Sequence, residues 1–150
     1  MPNITVQIVG LKELEANFAK APTTVYQGLD RGIKRSAVII TKSIKDETPV
    51  KTGTLKRGIR PTYGRLKAVI SPHNAPYAIF VHEGTQPHII EPVTKKALFW
   101  KGALHPVKRV KHPGTKANPF MTRGLDKSMD NVNKELKHEV DKIIAILAKQ

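Results

Sequence analysis

The chain has 150 residues and no cysteine. Disulfides and thiolate metal sites are therefore excluded. No apolar run approaches the roughly 20 residues needed to cross a bilayer. The opening Met1 to Gly10 is short, alternating and without a basic lead, unlike a secretory signal. These absences predict a soluble protein, and the length suits a single domain over 1–150. There is neither a P-loop nor a GxGxxG phosphate cradle. Ser36, Ser43, Ser71 and Ser128 are the candidate hydroxyl nucleophiles, and none lies in GxSxG. Aromatic residues make up only 5%. Tyr63, Tyr77, Phe80, Phe99 and Trp100 are the few that could stack on bases, and they form no recognised RNA-binding signature.

Acid is missing from the middle of the chain. Of 12 acidic residues nearly all lie in the terminal segments, while the net charge is +14. Residues 48–82 hold no acid but carry Lys51, Lys56, Arg57, Arg60, Arg65 and Lys67. Residues 92–125 again hold no acid but carry Lys95, Lys96, Lys101, Lys108, Arg109, Lys111, Lys116 and Arg123. A field of that sign attracts nucleic acid or an acidic protein surface.

What is present is strong helical periodicity at both ends. Residues 3–9 alternate like a half-buried strand ended by Gly10. Leu11, Leu14 and Phe18 predict a short helix that stops near Pro22. Val25, Leu29, Ile33, Ala37, Ile40 and Ile44 then make an apolar stripe, predicting a long helix to about Glu47, since Thr48-Pro49 disfavours its continuation. Residues 55–60 and 66–71 flank a turn signal at 62–65 and predict a hairpin. YAIFVHE, residues 77–83, is the most strand-like run. Residues 96–100 and 104–110 flank Lys101-Gly102 and predict a second hairpin, with Pro106 marking an edge. PHIIEP between them reads as a loop or short strand. Leu125, Met129, Val132, Leu136, Val140, Ile143 and Leu147 predict one long final helix, with Asn118 as its cap and Pro119 at its first position. The fold class expected is α+β: a central antiparallel sheet of about four to six strands, packed by a long helix from each half.

The tetrad HxGT occurs twice, as His82-Glu83-Gly84-Thr85 and His112-Pro113-Gly114-Thr115. A zinc hydrolase would need HExxH on a helix, but residue 86 is Gln and Gly84 and Pro87 disfavour the helix. A looser set of His82, His88, His105 and His112 could bind zinc, though no carboxylates cluster beside it. The plainer reading is two turns. Gly84 and Gly114 supply backbone freedom, Thr85 and Thr115 bond to local main chain, and Phe120 anchors the last helix. No enzyme, cofactor or small-molecule substrate is expected.

Three stretches resemble a family when taken in order. They are Thr48-Pro49-Val50-Lys51-Thr52-Gly53-Thr54-Leu55-Lys56, then Tyr77 through Thr85, then His112 through Met121. Together they resemble the neck, or head–tail joining, proteins of long-tailed DNA bacteriophages, also filed as tail-completion or minor tail proteins. The resemblance spans about residues 22–145. His82 departs from the pattern at the strand end, and a basic hairpin is inserted at about 86–111. The resemblance implies a non-enzymatic structural subunit at the virion's head–tail junction, present in host cytoplasm before assembly. Its partners would be head-connector or head-closure proteins and tail-terminator or tail-tube proteins, with self-association into a ring and contact with phage DNA. Lys51, Thr52, Gly53, Lys56 and Arg57 carry over as a turn and its arm. Glu83, Gly84 and Thr85 carry over as the second turn, and Asn118, Pro119 and Phe120 as the helix start. From the charge pattern, Lys51, Lys56, Arg57, Arg60, Lys95, Lys96, Lys108, Arg109 and Lys111 are the candidate interface. The alternative is a basic, non-specific DNA-binding protein, and a histidine-based metal enzyme is the remoter one.

Overall fold

The structure, a computed structural model, describes residues 6–7 and 23–147. The short helix expected after Gly10 lies outside the described residues. Helix α1 spans Thr23–Glu47 and buries Val25, Ile33, Ala37, Ile40 and Ile44, the stripe seen in the sequence. It ends where the Thr48 hydroxyl donates to Ile44 O at 2.6 Å, ahead of Pro49. The final helix, α4, spans Phe120–Leu147. It runs antiparallel to α1: Gly28 meets Ile143, Gly32 meets Leu136 and Glu139, and Gly124 meets Ile44. The approach at Gly124 is close enough that a Cβ there would sit 2.5 Å from Ile44 Cα.

The helix pair also neutralises its own charge. Glu139 is buried, its side chain 2% exposed. It accepts from Arg35 Nη1 at 2.8 Å, Lys142 Nζ at 3.0 Å and Arg31 Nε at 3.4 Å. Burial raises the pKa of this carboxyl, but the bond and charge of Lys142, with Arg35 and Arg31, outweigh it and hold the group below its ordinary range. At the other end of the pair Glu47 accepts from Lys127 and from Arg123, and these two bonds hold its pKa low as well.

A short helix α2, Thr54–Gly58, leads into β2, Ile59–Gly64, which pairs antiparallel with β3, Lys67–Pro72. A two-residue edge strand β1, Val6–Gln7, pairs with the outer side of β3. The β2–β3 hairpin packs on α1. Ile59, Leu66, Ala68 and Ile70 join Ile33, Ala37, Ile40, Ile44, Phe120 and Val132 in one buried cluster. A further strand pair, β4 (His88–Ile90) with β5 (Val110–His112), stands apart from this sheet.

The α+β class and the two long helices are present, but three expectations fail. The central sheet of four to six strands is not found among the described residues; two small antiparallel sheets take its place. Residues 55–58 form α2 rather than the start of a strand, because Gly53 turns the chain and Gly53 O accepts from Arg57 N at 2.9 Å. YAIFVHE is not a strand. Ala78–Glu83 form a short helix, α3, that buries Ala78 and half-buries Val81 and His82. Spacing of three and four residues is a helical face, and here tertiary packing overrides β-branched propensity.

Candidate functional site

The two HxGT stretches face one another. Thr85 N donates to Thr115 O at 3.0 Å and Thr115 N donates to Thr85 O at 3.1 Å. Their hydroxyls lie 3.0 Å apart. The adjoining glycines are reciprocal. Gly84 has φ 76° and a Cβ there would sit 2.4 Å from Thr115 O; Gly114 has φ 87° and a Cβ there would sit 2.3 Å from Thr85 O. Each glycine thus vacates the space that the opposite threonine's carbonyl fills. The repeated tetrad is a clasp between two turns, 30 residues apart in sequence.

The histidines serve this clasp. His82 packs edge-on against Phe120 with ring centroids 5.5 Å apart. Its Nδ1 is buried without a hydrogen-bond partner. Burial lowers the His82 pKa; the charge of Glu83 opposes this and that of Arg123 adds to it. His88 stacks on His112 at 5.0 Å across the β4–β5 pair. His88 Nδ1 donates to Gln86 O at 2.9 Å, and Gly114 N donates to His112 Nδ1 at 3.1 Å. His105 lies exposed in the segment beyond. The described residues contain no group of three His, Cys, Asp or Glu placed to hold a metal ion.

Around the clasp the chain changes direction. Asn118 N donates to Val81 O and His82 O, both at 3.1 Å, tying the end of α3 to the start of α4. Asn118 does not cap α4 with its side chain. Its Oδ1 instead accepts from Arg123 Nη2 at 2.6 Å, while Pro119 O accepts the first helical bond, from Arg123 N. Phe120 is fully buried in the core. In the turn after α1, Thr52 and Thr54 hydroxyls lie 3.0 Å apart and Gly53 has φ 77°.

Beyond the clasp, residues 86–112 form an arm. The β4–β5 ladder pairs His88 with His112, Ile89 with Lys111 and Ile90 with Val110. A single bridge, Leu98 to Val107, closes it further out, before the Lys101-Gly102 turn. The strands expected at 96–100 and 104–110 shrink to that bridge, because Pro106 has no N–H to extend the ladder. The arm exposes its apolar residues: Val93 is 97%, Leu104 98%, Phe99 67% and Trp100 50% exposed. Sequence reading singled out Phe99 and Trp100 as possible stacking residues but missed Val93 and Leu104, although four such side chains amid lysines are themselves a signal.

The nine candidate interface bases fall into two groups. Lys95, Lys96, Lys108, Arg109 and Lys111 lie on the arm. Lys51, Lys56, Arg57 and Arg60 lie around α2 and the start of β2. Lys56 reaches Asp46 at 3.7 Å; among the described residues the other eight make no ion pair. By contrast Arg123, from an acid-free stretch, is bound to Glu47. No protein-family model, curated protein or solved structure matches this chain.

Proposed function

We propose that this chain is a non-enzymatic structural subunit of a bacteriophage neck, joining the DNA-filled head to the tail through protein–protein interfaces. One observation carries the reading: an arm rooted at a fixed clasp, bearing six bases and four exposed apolar side chains that the body neither pairs nor covers. Exposed apolar side chains set among charges suit an interaction site. The order of the three turn motifs supports placing that interaction in a phage neck. The partners are head-closure or connector proteins on one side and tail-terminator or tail-tube proteins on the other, with acidic surfaces facing the basic segments of the assembled copies. Complementary charge there would speed docking and set orientation more than it would set affinity.

A second reading is favoured by Phe99 and Trp100 standing exposed beside Lys101. Aromatic and basic side chains together suit single-stranded nucleic acid. Retardation of DNA that persists at about 150 mM salt would favour it, since purely ionic contacts weaken steeply there.

Electron microscopy of particles from a phage or prophage strain lacking this gene tests the first reading. Separate filled heads and finished tails are expected. Normal infectious particles would sink it.

A further inference from the structure

Helix α4 carries more apolar surface than α1 covers. Val132 and Ile143 are buried, but Met129, Val140 and Ile144 remain exposed on its other flank. Spaced by eleven and four residues, these three share one face of the helix. Asp126, Asp130 and Asp141 border them, with Lys134 and Lys137 the exposed bases among them. All three acids are exposed, and among the described residues none makes an ion pair. The arm is the counterpart of this strip. From residue 91 to 111 it carries six bases against Glu91 alone, around Val93, Phe99, Trp100 and Leu104.

We propose that the arm of one copy docks along the Met129–Val140–Ile144 face of α4 of a second copy. This deepens the joining reading and rests on it only for the purpose of the contact. The occupant is a second copy because this chain itself displays the complementary surface. Val93 and Leu104 are branched aliphatics in full solvent, and they need an apolar counter-surface that a phosphate backbone does not offer. The two surfaces differ, so the contact is heterologous. Every copy offers one arm and one α4 face, and association propagates until it closes on itself.

The lack of cysteine gives a clean test. Leu104→Cys and Ile144→Cys proteins are prepared separately, mixed and air-oxidised, with Thr62→Cys on β2 as the remote control. A disulfide-linked Leu104→Cys/Ile144→Cys dimer is expected in clear excess over the Leu104→Cys/Thr62→Cys pair. A chain carrying both changes should give a ladder of linked species. Adding Asp126→Lys, Asp130→Lys and Asp141→Lys to the Ile144→Cys copy should cut the yield at least about tenfold, since like charges would then face one another. Thermal melting of that variant shows whether it is folded. Yields equal to the control, or Leu104→Cys linking mainly to itself, would overturn the proposal. So would burial of Trp100 by added DNA with no cross-linking. The outcome is independent of the particle images: cross-linking alongside normal particles would keep the contact and remove the neck, and the reverse would keep the neck and give the arm another partner.

Discussion

The helix pair and the arm solve the same problem in opposite ways. Between α1 and α4 a buried carboxylate collects three cations, and glycine at 124 lets the backbones close on each other. On the arm, six bases stand against Glu91 alone, without an ion pair among the described residues, and aliphatic side chains stand in water. The first region pairs its charge and covers its apolar groups within one chain; the second leaves both to solvent. Where a protein leaves its charge unpaired and its apolar groups uncovered tells more about its task than where its charge is greatest.

The sharpest way to break the contrast is to damage the body. Phe120→Ala should cost about 3–5 kcal/mol, the usual loss for a fully buried aromatic, read as a lower urea midpoint. Gly124→Ala should cost about 1–3 kcal/mol by overpacking against Ile44. A similar loss, about 1–3 kcal/mol, is expected for Gly84→Ala, from backbone strain at positive φ. That variant should also free the arm root, seen as faster proteolysis between residues 86 and 112. A wild-type rate there would show that the clasp does not hold the arm.

Acid acts more gently on the same region. Glu139 and Glu47 are held below the ordinary carboxylate value of 4.5 in the folded chain. Their contribution is present above that value and is lost as pH falls through the lowered ones. His82, lowered from 6.5, acts in the same direction: its contribution is full above 6.5 and fades as pH falls toward its folded value. Unfolding midpoints should therefore fall between pH 7 and pH 3. In Glu139→Gln the acid-induced fall should be shallower than in the wild type; an identical profile would remove Glu139 from the account.

The smallest effect on stability should come from the arm. Reversing Lys95, Lys96, Lys108 and Arg109 should change stability by no more than about 0.5 kcal/mol per site, as exposed substitutions do, while head–tail joining fails. Intact joining by that variant would remove these four bases from the joining proposal.

The long helices were legible because their apolar stripes are long enough to reveal a period. The short elements were not. YAIFVHE is rich in strand-forming residues, yet its fate is set by Asn118, which takes the carbonyls at the end of α3 from 35 or more residues away. The LKRG stretch turns helical because of Gly53, two positions upstream. The exposed half of the α4 stripe was visible as pattern, but Met129 and Val140 could be told from Val132 and Ile143 only once α1 was in place. The HxGT echo was legible as two turns, but not as turns that meet. Identical turns facing each other need the same small residue at the same step, and a four-residue match alone does not say that they meet.

The clasp has an architectural consequence. By joining Thr85 to Thr115 it makes the segment between them a closed loop whose ends are fixed whatever the loop contains. Closing a flexible loop of twice the length costs only about 0.6 kcal/mol more. The intervening segment could therefore be lengthened, trimmed or rewritten with little burden on the core, provided Gly84 and Gly114 stay. Such a joint lets one scaffold change the surface it displays without having to learn again how to fold.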